Sequence, residues 1–199
     1  MFRSTVVEMS VKLRDESPGY HHVVTRGNNK RRIYDDDRDR VFFCLTVERV
    51  ARKQGWRILA YCLMDNHYHL LIHVGEQGLS RGMCELNTGY AVHYNAMHGR
   101  VNHLFGKRYW NRRMRTEASV VNVVRYIVQN PRRAGGSREL ESYVWTSYAA
   151  SIGLAFGRIE LARDDLLGFF GRSPALAIEN LRIFCSAMPL GGHVRRQPP

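Results

Sequence analysis

His67 and His69, two residues apart, are the first residues whose type and spacing could do chemistry. They fall in WRILAYCLMDNHYHLLIHV: Trp56 to Leu63 is β-branched and aromatic enough for a strand, Met64-Asp65-Asn66 is turn chemistry, and His67 to Val74 is the returning strand. Alternation along that second strand places Tyr68, Leu70, Ile72 and Val74 on one face, to be covered by helices, and His67, His69, Leu71 and His73 on the other. Two imidazoles standing side by side on an open sheet face can converge on one metal ion. Histidines on a polar sheet surface would show the same spacing, so the pair alone decides nothing.

A second candidate is Tyr126. Glu117 to Asn130 has the pattern of a helix with Val120, Val123, Val124 and Ile127 as its buried stripe, closed by Pro131. Tyr126 lies off the centre of that stripe and in line with Asn122 and Asn130, so a phenol and an amide would project from one side of the helix. A boundary tyrosine with its hydroxyl in solvent fits the same spacing.

The third chemical signal is basic. Val101 to Thr116, VNHLFGKRYWNRRMRT, alternates aromatic with basic residues and holds Lys107, Arg108, Arg112, Arg113 and Arg115 without one acid. Aromatics such as Tyr109 and Trp110 can stack on unpaired bases while the cations neutralise phosphates; a solvated edge strand is the plainer alternative. Arg26, Asn28, Lys30, Arg31 and Arg32, at the turn that ends YHHVVTRG, could meet the same backbone.

The whole chain agrees with a polyanionic partner. Its 199 residues carry a formal charge of +12, with a pI near 10.0. Residues 1 to 137 hold 23 Lys and Arg against 12 Asp and Glu, whereas 138 to 199 hold 7 against 6, so the binding surface belongs to the first two thirds. Four cysteines, scattered singly, suit a reducing cytoplasm. No apolar run approaches the length of a membrane span, and neither secretion nor membrane insertion is expected.

These residues must be positioned by an ordered set of elements. Residues 1 to 18 read as a flexible leader, Tyr20 to Gly27 as a strand, and Asp35-Asp36-Asp37 as the negatively charged start of a helix with Phe43, Cys44, Val47, Val50 and Ala51 buried, ending near Gly55. The hairpin follows, then a helix from Leu79 to about His98 whose Gly82 and Gly89 weaken the pattern. Strand, helix, strand, strand, helix is the opening of an α+β fold: a ferredoxin-like βαββαβ split sheet with helices on one face and the other face free for ligands. This unit is expected over residues 19 to 136. Residues 137 to 188 read as a small C-terminal helical extension, with Leu176, Ile183 and Phe184 available for burial, and 189 to 199 as a disordered tail.

The ordered set YHHVVTRGNN, AYCLMDNHYHLLIHV, LSRGM, HGRVNHLFGKRYW, RYIVQNPRRAG and WTSYAA resembles the REP-associated tyrosine transposases, bacterial relatives of the single-tyrosine HUH transposases of insertion sequences. The resemblance runs from about Tyr20 to Ala150. It implies metal-dependent cleavage and joining of single-stranded DNA near hairpins, with His67 and His69 as the HUH histidines, Tyr126 as nucleophile and Asn130 as the polar third ligand of Mg²⁺ or Mn²⁺. It implies a single-stranded DNA partner with a hairpin, no nucleotide cofactor, and a monomer or a homodimer. Asp65 stands where the common family version has Pro, and raises the expectation of a carboxylate near the metal that tunes affinity or repels DNA. Two other readings remain open at this level: a binding module with the same sheet and no metal, and a zinc hydrolase, for which the chain is short and lacks repeated βα units.

Overall fold

The computed structural model describes residues 15–136 and 139–187. Four antiparallel strands, β1 (Gly19–Arg26), β2 (Arg57–Met64), β3 (His67–Val74) and β4 (Trp110–Met114), form one sheet in the order β2-β3-β1-β4. α1 (Asp37–Gln54) connects β1 to β2 and α2 (Ser80–Met97) connects β3 to β4, which completes the ferredoxin-like split sheet expected from the sequence. After β4 come α3 (Glu117–Val128), α4 (Asn130–Arg133), α5 (Tyr148–Ser151), α6 (Arg163–Gly168) and α7 (Pro174–Ser186).

Local chemistry sets the helix ends. The Asp36 carboxylate accepts from the backbone N–H groups of Arg38 and Asp39, the Asp39 carboxylate reaches back to the Asp36 N–H, and Gly55 ends α1 in the left-handed region at φ 65°. Thr116 and Ser119 start α3 by the same reciprocal arrangement. Gly82, which weakens the sequence pattern of α2, has a packing reason: a Cβ there would stand 2.3 Å from the Trp56 ring.

Alternation along the strands divides the core in two. Val23, Tyr68, Leu70 and Ile72 are fully buried under α1 and α2, against Phe43, Val47, Met83 and Tyr90. Leu59, Ala60, Cys62, Leu71 and Met114 face the opposite way and are covered by Val120, Val124 and Ile127 of α3, with Leu166, Leu181 and Cys185 of α6 and α7 behind. This second face is therefore less open than expected, because the C-terminal helices complete the core over it. Its corner toward His67 and His69 is left to polar groups.

The buried stripe of α7 is Ala177, Leu181 and Cys185, and Leu176 and Ile183 are exposed, contrary to expectation. This i, i+4, i+8 row packs α7 into the core shared with α3, where the Gln129 side-chain amide donates to the Cys185 carbonyl at 2.7 Å and the Ala187 carbonyl at 3.1 Å. Arg125 also lies 4.2 Å from the Phe184 ring centre. The outer edge of β2 is closed by residues 145–147: Leu63 N–H donates to the Trp145 carbonyl and Ser147 N–H to the Tyr61 carbonyl.

Residues 15–18 are tied down where a loose leader was expected. Glu16 bonds the Ser80 hydroxyl, Asp15 pairs with Arg115 at 3.0 Å, and the Pro18 carbonyl accepts from Arg113 at 2.7 Å. The rest of the leader and the 189–199 tail lie outside the described residues.

Candidate active site

The register of β1 against β3 sets Arg26 opposite His67, Val24 opposite His69 and His22 opposite Leu71, so their side chains share one face. On the other side of β1, β4 adds Trp110 opposite Val24 and Arg112 opposite His22. α3 lies over this face and delivers Tyr126, whose ring centre is 5.5 Å from that of His69 and 5.8 Å from that of His22. The phenol predicted from helix geometry and the imidazoles predicted from strand geometry therefore meet.

α3 stops at Gln129, and Asn130 opens the short α4, with Pro131 in its first turn supplying no N–H of its own. Asn130 Nδ2 donates to the Tyr126 carbonyl at 3.0 Å, which fixes the amide's orientation. Its oxygen is thereby left on the side of His67 and His69, whose protonated forms the Asn130 side chain favours. Asn122, one turn earlier, is exposed and bonded back to the Ala118 carbonyl, away from this cluster.

Each imidazole is held by one nitrogen. His67 Nδ1 is 2.7 Å from Asn66 Oδ1, and His69 Nδ1 is 3.0 Å from His22 Nε2. Burial holds the His67 pKa down at about 4, with the Arg26 charge adding to the effect. Burial likewise pushes His69 well below the usual range, with smaller contributions from His22, His67 and Arg26, and holds His22 at about 3, helped by Arg112. All three rings are neutral near pH 7, the form that offers a lone pair to a metal.

The donor set suits a cation. His69 Nε2 is buried without a hydrogen-bond partner, and a buried polar atom left in that state calls for an occupant. Among the described residues no three His, Cys, Asp or Glu side chains are grouped to hold a metal, so a metal here would rest on two imidazoles and the Asn130 amide, with waters completing the shell.

The predicted DNA-contacting residues divide. Arg26 projects beside the histidines with its Nε buried and unpartnered. Arg26, Asn28, Lys30, Lys107, Arg108 and Trp110 line a cleft of 260 Å³ that adjoins the site. Gly27 opens that loop because a Cβ would stand 2.2 Å from the Arg31 carbonyl oxygen. Arg31 and Arg112 are exposed. Tyr109 must be corrected: it is buried in the core with its hydroxyl held by Ser80 and Glu16, which leaves no ring face for a base. Arg113 and Arg115 are committed to the Pro18 carbonyl and Asp15, and Arg32 bonds the Tyr34 carbonyl and sits 3.8 Å from Asp65.

Asp65 itself is 2.6 Å from Arg40, a guanidinium that also pairs with Asp37 and lies against the Tyr34 and Trp145 rings. The carboxylate is thus neutralised by α1. Two residues at the site had no sequence signal. His22 looks like one more strand residue until the register is known, and Arg133, 5.0 Å over the Tyr126 ring, reads as an ordinary basic residue after a helix.

The family model for IS200-like transposases matches residues 17–130, more than half of the chain, and the chain belongs to that family. Among solved structures, that of a REP-associated tyrosine transposase bound to a REP hairpin matches with TM-score 0.60 and 17% identity, over 78% of this chain and 96% of that one. A provisionally assigned transposase from Deinococcus radiodurans R1 gives 0.41 at 16% identity, over 58% and 94%. The tRNA(His) guanylyltransferase of Saccharomyces cerevisiae gives 0.44 at 9%, over 92% and 85%. The first shares the fold; the other two are too distant to support an argument. A comparison with curated proteins gives no match.

Proposed function

We propose that this transposase is of the REP-associated type and cleaves and rejoins single-stranded DNA beside hairpins, with Tyr126 as nucleophile. The observation that carries the reading is that Tyr126 and Asn130 come up to the His67 and His69 pair from elements nearly sixty residues apart in sequence.

The Tyr126 oxygen attacks the scissile phosphorus, the bond to the 3′ oxygen breaks, and the phenol proton passes through solvent to the departing 3′ oxygen, which becomes a 3′-OH. A 5′-phosphotyrosine remains, and because the ester bond is conserved, a second 3′-OH can reverse the step without ATP. A divalent cation, Mg²⁺ or Mn²⁺, held by His67, His69 and Asn130 would polarise the phosphate and stabilise the 3′ oxygenate. Arg26, set across from His67, supplies fixed positive charge toward a phosphate, and Trp110 and Arg112 flank the strand's path. The cleft lined by Asn28, Lys30, Lys107 and Arg108 takes a nucleotide next to the cleavage position. Residues 19–136 form the catalytic unit and 137–188 the extension, whose helix α7 packs on α3. Such a protein works in the bacterial cytoplasm, on the nucleoid.

The test is incubation of the full chain with single-stranded hairpin DNA taken from beside its own gene, with Mg²⁺ or Mn²⁺, followed by a denaturing gel. A covalent adduct is expected, absent with chelator and absent in Tyr126→Phe, whose DNA binding persists. An adduct that survives Tyr126→Phe overturns the assignment. Binding without any adduct leaves a recognition module.

A further inference from the structure

We infer that His22 is a positioning residue for the candidate metal site: its Nε2 accepts the Nδ1 proton of His69 and thereby presents the His69 Nε2 lone pair to the cation. This inference rests on the metal-binding reading above and adds a residue to it.

The pair consists of two almost fully buried polar rings, His22 at 4% and His69 at 1% exposure, stacked at 5.2 Å with one ring-to-ring hydrogen bond of 3.0 Å. Removing two imidazoles from water is costly, and an apolar side chain opposite Leu71 would fill the same place more cheaply. The hydrogen bond must then be serving something.

One proton lies between the two nitrogens, which allows two arrangements. If His22 donates, His69 carries its hydrogen on Nε2 and cannot ligate. If His69 donates, its Nε2 has a lone pair where the buried atom now lacks a partner, free to take a cation. Only the second arrangement is compatible with a bound cation. His22 suits the accepting role, since its ring is almost fully buried and its Nε2 stands 3.0 Å from His69 Nδ1. His67 obtains the equivalent support from Asn66 Oδ1, so each imidazole has its own orienting partner. His22 touches neither substrate nor cation in this scheme; it acts through His69.

Mn²⁺ titration of the full chain without DNA, followed by the electron paramagnetic resonance of free Mn²⁺, tests the assignment. His22→Leu is expected to weaken Mn²⁺ binding by about 10- to 100-fold, the usual loss when a ligand's orienting partner is removed. His22→Gln, whose amide oxygen reaches the place of Nε2, is expected to restore binding to within a few-fold. Nitrogen-15 spectra of the wild-type imidazoles with Mg²⁺ bound need no variant and should show His69 protonated at Nδ1. Unchanged affinity in His22→Leu overturns the inference, as does a His22→Gln chain that folds but binds no better than His22→Leu, or a His69 Nδ1 without its proton. A wild-type chain that binds no Mn²⁺ removes the metal reading itself.

Discussion

Asn130 is held by its nitrogen so that its oxygen can be used, and the helix break at Gln129 is what brings the amide round to the histidines. Asn130→Ala should therefore lower Mn²⁺ affinity and adduct formation by about tenfold or more while leaving the fold intact, measured by the same titration and gel. The buried histidines also predict a pH effect on the metal-free chain. Folded His22 and His67 have pKa values of about 3 and about 4 against 6.5 for an ordinary histidine. Below about pH 6.5 the unfolded chain takes up protons that the folded chain refuses, so stability is full above that point and is lost as the pH falls toward the folded values. Urea midpoints should drop on acidification, and His22→Gln should show a shallower drop. Periodicity marked His67, His69, Tyr126 and Asn130 as candidates, and the family resemblance is what gave them roles. His22 was not, because a histidine inside a strand acquires meaning only from the strand paired beside it.

Among the elements, the hairpin and the helix that follows it were readable because their apolar periods are clean and their ends carry the right caps. α7 was misread at Leu176 and Ile183, which are exposed, because a row of Ala, Leu and Cys gives a weak stripe; Phe184 is partly buried against the core as expected. Two substitutions probe this level. Gly82→Ala forces a methyl group into the Trp56 ring and should cost about 1–3 kcal/mol, read from urea unfolding. Gln129→Leu leaves the Cys185 and Ala187 carbonyls without their donor and should cost a similar amount, about 1–3 kcal/mol, with faster amide exchange concentrated in α7.

For the whole molecule, the excess of positive charge named the kind of partner but not which cations face it. The strand register separates them: Arg112 projects on the face of the histidines, whereas Arg113 is bonded to the Pro18 carbonyl. In single-stranded DNA binding measured across a salt series, Arg112→Ala should reduce the slope of log affinity against log salt by about 0.7, as loss of one phosphate contact requires, and Arg113→Ala should change it less. No helix among the described residues is long and apolar enough to cross a membrane.

The ion pair between the hairpin turn and α1 has a bearing on which sequences this chain can reach. Arg40 is almost fully buried, and among the described residues Asp37 and Asp65 are the carboxylates bonded to it. Exchanging that turn residue for proline would leave a guanidinium short of countercharge inside the protein, so the swap becomes tolerable only when position 40 changes as well. Two sites twenty-five residues apart are thereby bound to drift together, and a designer grafting another relative's turn here would have to carry its helix partner along.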